Sequence, residues 1–218
     1  MSRAAGQSHV QRKREARRGS ILRAAIGEFA RRGYERTTMQ DIAAALDMTS
    51  ASLYYYFKAK DEVLFAALDT VLGELILALD AALAAADGDP ADSVRRLIAA
   101  HVTFELEDPT VGPFVNTHLY GPPYLVEMID AAGQAELRAK QRAIYQRYRR
   151  CVDQWPDAPR AERAMMTFDL LALAQYPVVW FRADGGLTVS QVAMRQADLA
   201  VRLLADHAGP AGQAAHNT

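Results

Sequence analysis

Hydroxyl and aromatic side chains cluster in residues 49–60, in the segment TSASLYYYFKAK. Leu53 and Phe57 are one helical turn apart, so we expect them to form the buried side of a helix. At about 100° per residue, Ala51 and Tyr55 then lie opposite that buried side. Hydroxyls and aromatic edges on one exposed helical face suit contacts with base edges and phosphates in a DNA major groove. The residues that flank this face are Ser52, Tyr54 and Tyr56.

The three consecutive tyrosines have an ordinary alternative explanation as core aromatics of a helical bundle. Consecutive residues of a helix point about 100° apart, so the three rings cannot all face one core. Because Leu53 and Phe57 already take the inner side, the pattern favours an exposed face that contacts DNA.

Two preceding helices must hold this segment in place. Apolar residues from Ile21 to Phe29 recur at helical spacing and predict a first helix over residues 17–32. Gly33 follows, at a position where a left-handed residue commonly ends a helix. Thr38 and Asp41 then have the spacing of a capping box at the start of a second helix, with aspartate in place of the usual Glu or Gln.

The second helix is expected to be short and to end near Asp47. The turn there needs a positive φ, which aspartate tolerates better than most residues and less well than glycine. Thr49 then caps the third helix. The sequence therefore predicts a helix-turn-helix.

The span TTMQDIAAALDMTSASLYYYFKAK, residues 37–60, resembles the DNA-binding domain of the TetR family of one-component bacterial repressors. In that family a threonine pair opens the supporting helix, and a Leu-Tyr-Tyr-x-Phe-x-x-Lys run closes the recognition helix. The likeness covers about residues 17–70 and departs from the family at Asp47 and Ala51, where glycine is frequent, and at Tyr56, where histidine is frequent. The resemblance implies DNA contacts for Thr38, Ser50, Ala51, Ser52, Tyr54, Tyr55, Tyr56 and Lys60, with Ala51 and Tyr55 closest to the base edges.

Charge is divided unevenly along the chain. The formal net charge is −1, but residues 1–60 carry 12 Lys+Arg and 5 Asp+Glu, a net of +7. The remaining 158 residues carry 13 and 21, a net of −8. This asymmetry predicts that phosphate contact is confined to the N-terminal part, while the acidic part avoids unspecific adhesion to DNA.

The sequence predicts four segments: a disordered basic arm over 1–16, a helix-turn-helix domain over 17–62, a helical ligand-binding and dimerisation domain over 63–207, and a disordered tail over 208–218. The single cysteine excludes an intramolecular disulfide framework and fits a reducing compartment. No apolar stretch approaches the ~18 residues of a spanning helix, and no secretory region follows the basic N-terminus. We therefore expect a cytoplasmic protein without membrane association.

An all-α fold is predicted beyond the helix-turn-helix, because apolar residues fall at helical spacing throughout. Glycine and proline clusters interrupt the pattern. They bound helices over about 61–86, 90–107, 123–154, 159–182 and 188–206, with a short helix near 113–119. Pro177 lies inside one of them and predicts a kink or a local widening.

The last two predicted helices carry more apolar residues than one buried stripe requires. Two such helices from each of two subunits suggest a four-helix homodimer interface, the arrangement of TetR relatives. A fully buried helix of a monomer is the alternative. The interface candidates are Trp180, Val192, Leu199 and Leu203.

Aromatic residues with polar ends occur in the middle of the chain and suit an elongated apolar ligand. The segment LLALAQYPVVWFRADGGLTVSQVA also resembles the C-terminal domains of TetR members associated with lipid and acyl-coenzyme A metabolism. That resemblance implies an acyl-coenzyme A thioester as effector; an aromatic drug, sensed by a repressor of an efflux gene, is the alternative. The ligand candidates are His101, Phe104, Phe114, His118, Tyr124, Tyr145, Phe168 and Tyr176.

An enzyme is not expected. His101 with Glu105 lacks the second histidine of a zinc-protease helix, and the sequence contains no glycine-rich phosphate loop or nucleophile elbow. No cofactor or metal is predicted. A constitutive architectural DNA-binding protein needs only the N-terminal domain, so the long aromatic-rich remainder favours a sensor.

Overall fold

A computed structural model describes residues 2–121, 124–156 and 158–207, and these ranges contain no strand. The all-α fold predicted from the sequence is confirmed. The predicted disordered tail over 208–218 lies outside the described residues. In chain order the helices are α1 (Ser2–Arg32), α2 (Met39–Ala44), α3 (Ser50–Tyr56), α4 (Lys60–Ala84), α5 (Pro90–Glu107), α6 (Val111–His118), α7 (Tyr124–Glu127), α8 (Ala131–Gln154), α9 (Arg163–Gln175), α10 (Pro177–Trp180) and α11 (Val189–His207).

The chain forms two compact units, and the division falls within helices α4, α6 and α8. The first unit comprises Met1–Val71 and Pro113–Glu136, and the second comprises Leu72–Gly112 and the chain from Leu137 onward. The sequence predicted a boundary near residue 62 and one continuous second domain. Residues 113–136 belong instead with the first unit, because Phe114 of α6 stacks on Phe29 of α1.

Helix α1 is longer than predicted. It begins at Ser2, so the expected disorder over residues 1–16 is not what the structure contains. Residues 11–18, QRKREARR, are all good helix formers without proline or glycine. Extending a helix that packing has already nucleated costs little, so such a segment continues it. The C-terminal end follows prediction, since Gly33 has a φ of 77° and its N–H donates to the Phe29 carbonyl.

The turn between α2 and α3 is formed as predicted, with Asp47 at a φ of 51°. The Met48 N–H donates to the Ala43 carbonyl at 2.9 Å, which is the long closing bond of a Schellman motif. Thr49 then caps α3 by accepting a hydrogen bond from the Ser52 N–H at 3.2 Å. These bonds pair backbone groups on both sides of the turn and join the end of α2 to the start of α3.

The second unit is built around α5, which packs against α11, α9 and α10. Asp89 caps α5 and Pro90 occupies its first turn, where a missing N–H costs nothing. The core of this unit includes Leu97, Ile98, Leu170, Ala200 and Leu204, none of which is exposed.

Two predicted helices are interrupted for local reasons. The helix expected over 123–154 breaks before α8, because the Asp130 carboxylate accepts the Gly133 N–H at 2.7 Å and so caps a new helix. The helix expected over 159–182 begins at Arg163 and is divided at Pro177 into α9 and α10. The predicted disruption at Pro177 is confirmed, since proline has no N–H with which to continue the ladder.

Truncating Leu53 tests which side of α3 is buried. Leu53 is 0% exposed, whereas Tyr55 is 64% exposed. We expect Leu53→Ala to lower the free energy of unfolding by ~2–5 kcal/mol, as for other core leucines. Tyr55→Ala should change it by less than ~0.5 kcal/mol. Urea denaturation followed by circular dichroism measures both, and equal losses in the two variants would contradict the assigned orientation.

Candidate functional site

Helix α3 presents a polar and aromatic face to solvent. Leu53 and Phe57 are fully buried beneath it, while Tyr54 and Tyr55 are 43% and 64% exposed. The predicted orientation of the helix is therefore confirmed. Of the other candidates on this helix, Ala51 and Ser52 are exposed and Ser50 and Tyr56 are partly exposed.

Helix α2 is held by the predicted capping box. The Asp41 N–H donates to Thr38 Oγ1 at 3.1 Å, and the Thr38 N–H donates to the Asp41 carboxylate at 2.9 Å. Hydrogen bonds from the Thr38 hydroxyl and backbone lower the pKa of Asp41 below its ordinary value, and the guanidinium of Arg32 lies 2.8 Å from the same carboxylate. Thr38 is exposed and sits at the N-terminus of α2, where a hydroxyl can also meet a phosphate.

Arginines of α1 lie against α3, an arrangement that the sequence analysis missed. Arg18 places its guanidinium 4.1 Å from the ring centroid of Phe57 and donates to the Tyr56 carbonyl at 3.2 Å. Arg14 lies 5.6 Å from the ring centroid of Tyr55. Both contacts are cation–π in geometry. Arg14 brings positive charge to the exposed face at Tyr55, while Arg18 lies over the buried ring of Phe57. The sequence could have revealed this arrangement, because Arg14 and Arg18 are four residues apart and continue the helical spacing of the apolar stripe that begins at Ile21.

A groove of about 530 Å³ runs beside the outward face of α3. It combines one guanidinium with hydroxyl and aromatic groups, which is the mixture that contacts phosphates and base edges. Its lining residues are Arg17, Asp47, Met48, Thr49, Ser52, Tyr55 and Tyr56.

Lys60 is directed towards the protein. Its ammonium donates to the carbonyls of Tyr34 at 2.7 Å and Thr37 at 2.9 Å, and it lies 4.0 Å from the ring centroid of Tyr34. Two of its three N–H groups are therefore used to join the first turn of α4 to the connection between α1 and α2. The resemblance implied a DNA contact for Lys60, whereas the described contacts give it a positioning role.

The ligand candidates in the second unit do not share one environment. His101 is fully buried, with Nδ1 2.6 Å from the Tyr148 hydroxyl and Nε2 3.3 Å from the Glu105 carboxylate. Both ring nitrogens are thus satisfied inside the core, which leaves His101 without an atom to offer a ligand. Phe104 is half-buried on the same helix. The sequence could not distinguish the fully buried His101 from the half-buried Phe104, since both residues recur at helical spacing on α5.

Tyr145 and Phe168 are brought together, with ring centroids 5.3 Å apart. Phe168 is nevertheless 61% exposed and Tyr176 is 63% exposed, so both lie on the surface of the chain. Tyr124 lies outside the residues whose side chains are described. The basic residues of α8 are partly neutralised, because Arg147 pairs with Asp80 and Arg149 pairs with Asp153.

Phe114 and His118 of α6 form an aromatic cluster with Phe29 of α1 in the first unit. The Phe29 and Phe114 rings stack with centroids 6.1 Å apart, and the His118 ring lies 5.7 Å from Phe29 and 4.9 Å from Phe114. All three side chains are at most 1% exposed. Burial lowers the pKa of His118 below its ordinary value, so the imidazole is neutral at pH 7.

Large apolar side chains are exposed on α9, α10 and α11, and together they are called the apolar surface. Trp180 and Leu199 are 42% and 45% exposed, as expected of interface residues, and Leu203 is half-buried. Val192 is 1% exposed and packs within its own chain, which contradicts its assignment to the interface. The side of α11 that carries it faces α5. The exposed members of this surface are Met165, Phe168, Tyr176, Val179, Trp180, Met194 and Leu199.

A separate cavity of about 360 Å³ in the first unit is acidic. It contains four carboxylates beside one aromatic ring. The lining residues of the cavity are Asp61, Glu62, Phe65, Ile129, Asp130, Ala132, Gly133 and Glu136.

In the described part of the chain, no group of three or more His, Cys, Asp or Glu side chains is arranged to hold a metal ion. Likewise, none of the described helices is long and apolar enough to cross a bilayer.

The third helix follows a tight turn, is exposed on its polar face and is flanked by arginines. Together with a second helical unit, this arrangement defines a helix-turn-helix protein of the DNA-binding regulator class. Residues 21–67 match the model of the bacterial regulatory proteins of the tetR family. Residues 87–204 match the tetracyclin repressor-like C-terminal domain. The chain belongs to the TetR family.

Individual relatives support this assignment. The HTH-type transcriptional repressor KstR2 of Mycobacterium tuberculosis is 41% identical over 63 residues, which are 29% of this chain and 28% of KstR2. The chain therefore matches about a quarter of that relative's length. PfmR of Thermus thermophilus has a TM-score of 0.71 at 28% identity, covering 84% of this chain and 97% of PfmR. AibR, solved with isovaleryl coenzyme A and operator DNA, has a TM-score of 0.72 at 22% identity, covering 84% of this chain and 97% of AibR.

Replacing Lys60 tests its positioning role. We expect Lys60→Met to lower the free energy of unfolding by on the order of 1.5–3 kcal/mol, because two charge-assisted hydrogen bonds to backbone carbonyls are lost. Lys58→Met is the matched control, since Lys58 is exposed and its ammonium lies 3.4 Å from one carbonyl. Thermal and urea denaturation measure the difference.

The same two variants separate positioning from phosphate contact. Loss of a phosphate ligand lowers the slope of log K against log salt by ~0.9, whereas loss of a positioning contact leaves the slope unchanged. An unaltered stability of Lys60→Met together with a lowered slope would show that Lys60 serves the DNA and not the fold.

Proposed function

We propose that the protein is a ligand-responsive transcriptional repressor that binds a palindromic operator as a homodimer. The observation that carries the proposal is the outward face of α3, where Tyr54 and Tyr55 are exposed above buried Leu53 and Phe57. Both tyrosine rings keep a large exposed area, although the Tyr55 ring also contacts Tyr56 and Arg14. Their hydroxyls and edges suit a major groove.

The contacts divide by chemistry. Ala51 and Tyr55 are nearest the base edges and specify the sequence, while hydroxyls at either side hold the backbone. Arg14 and Arg17 add a positive charge beside α3 that the sequence analysis did not assign to this helix. The backbone and flanking contacts are assigned to Thr38, Ser50, Ser52, Tyr54 and Tyr56.

Dimerisation is supported by the apolar surface of α9, α10 and α11. Several large apolar side chains are exposed on these three helices, and exposed apolar surface of this kind marks interaction sites. A second copy would cover them by two-fold symmetry and would present two copies of α3 to successive turns of DNA, ~34 Å apart or slightly more.

An acyl-coenzyme A thioester is the proposed effector class. AibR, which shares the fold, was solved with isovaleryl coenzyme A and operator DNA. Aromatic side chains in both units suit an acyl chain, although they do not form one cluster. Release of DNA requires that the effector bind the DNA-incompetent state more tightly, and a tenfold loss of operator affinity corresponds to ~1.4 kcal/mol of that difference.

A cationic aromatic compound is the second candidate effector. The acidic cavity of about 360 Å³ favours it, because four carboxylates and the Phe65 ring attract a planar cation. Helix α4 carries three residues of this cavity, Asp61, Glu62 and Phe65, and begins beside the connection to α3. An occupant of the cavity would therefore act directly on the first turns of α4.

Charged substitutions on the apolar surface test the dimer. We expect wild type to have twice the chain mass of 24.0 kDa and Trp180→Asp or Leu199→Asp to be monomeric, because an unpaired buried charge costs several kcal/mol. Leu77→Asp is the control, since Leu77 is 69% exposed on α4, a helix that is not part of this surface. Light scattering after size-exclusion chromatography decides it. A monomeric wild type at micromolar concentration would refute the proposed dimer.

Selection from random-sequence DNA followed by ligand titration tests the regulatory function. We expect an inverted repeat from wild type and an altered preference at particular base pairs from Tyr55→Ala. Acyl-coenzyme A thioesters of several chain lengths should release the selected operator, with free fatty acids and cationic dyes as comparisons. Release by dyes alone would favour the second candidate, and release by neither class would contradict a ligand-responsive repressor of either kind.

A further inference from the structure

His118 is the last residue of α6 and is 1% exposed. Its Nδ1 lies 2.8 Å from the Phe114 carbonyl oxygen, which can only accept a hydrogen bond. Nδ1 therefore carries the hydrogen and donates it. In a neutral imidazole the other nitrogen, Nε2, is then an acceptor with a free lone pair.

The His118 Nε2 atom is buried and has no hydrogen-bond partner among the described residues. Buried acceptors are nearly always paired, so an unpaired one needs a reason. The contrast with His101 is direct, since both nitrogens of that buried ring have partners. The fold therefore satisfies one buried histidine and leaves the other with a single open acceptor.

The neighbours of His118 connect it to the DNA-binding helices. Its ring lies against Phe29, and Phe29 is 1% exposed on α1. The same helix holds Arg18 against Phe57 at the end of α3. A donor can reach the covered Nε2 only if the imidazole or an adjacent ring moves, and one of those rings belongs to α1.

We propose that His118 Nε2 is an effector contact that accepts a hydrogen bond from a neutral O–H or N–H group, and that the accompanying movement of the Phe29, Phe114 and His118 rings displaces α1. This inference rests on the proposed ligand-responsive function. An acceptor at Nε2 also restricts the effector to molecules that carry a hydrogen-bond donor. A carboxylate offers no hydrogen to a neutral imidazole, whereas an acyl-coenzyme A thioester carries amide N–H and hydroxyl groups.

The first test compares two variants of His118 in operator release by lauroyl-coenzyme A. His118→Phe keeps an aromatic ring and removes the acceptor, so we expect at least a roughly tenfold higher concentration for half-release, the loss that corresponds to ~1.4 kcal/mol. His118→Gln restores an acceptor oxygen and should recover part of the response. The melting temperature of His118→Phe should change little, because the variant removes the unpaired Nε2 but also the Nδ1 hydrogen bond to the Phe114 carbonyl.

The second test observes the acceptor directly in the wild-type chain. The ¹⁵N resonance of His118 Nε2 should shift on addition of lauroyl-coenzyme A and should not shift with laurate, which has no hydrogen to donate at neutral pH. A His118→Phe variant released like wild type, a shift caused by laurate, or no shift with either compound each overturns the inference.

The two tests also separate this inference from the proposed function. A shift of Nε2 by lauroyl-coenzyme A without release of the operator supports the contact, but it overturns the displacement of α1 and counts against ligand-controlled repression. Release of wild type and of His118→Phe at the same concentration supports ligand-controlled repression and overturns the role of His118.

Discussion

The burial of Leu53 and Phe57 is the constraint on which the DNA-binding surface depends. A helix of seven residues has no stability of its own and takes its orientation from its buried side chains. With these two residues fully enclosed, the hydroxyl and ring of Tyr55 must point to solvent. The Thr49 cap and the positive φ of Asp47 then fix where the helix starts. Arg18 secures its other end by donating to the Tyr56 carbonyl.

Helix α1 links three features that lie far apart in the sequence. Arg14 and Arg18 contact α3. Farther along the helix, Phe29 packs against Phe114 and His118 of α6. Gly33 then ends the helix before the connection to α2, which is held by Lys60. A helix transmits displacement along its length because its backbone hydrogen bonds resist bending. This continuity gives a physical basis for coupling α6 to the recognition helix within the first unit.

The prediction from sequence succeeded where the determinants were local. Capping residues act within three positions, a left-handed residue ends its own helix, and proline interrupts its own ladder, so Thr38, Gly33 and Pro177 were interpreted correctly. It failed where a residue's role depended on partners distant in sequence. The basic arm was expected to be disordered because the packing that nucleates α1, which the arm continues, was unknown. Val192 was assigned to an interface because periodicity does not say which side of α11 meets α5.

The sequence by itself determined the all-α class, the helix-turn-helix, the outward face of α3 and the resemblance to the TetR family, because these depend on spacing within a few turns of one helix. Only the tertiary structure decided how individual polar groups are used. Lys60 donates to carbonyls 23 and 26 residues away, and His101 bonds Tyr148 across 47 residues. His118 has the same side chain as His101 and keeps an acceptor that has no partner among the described residues. Such differences arise from which groups packing brings within hydrogen-bonding distance of each other, and no local pattern records that.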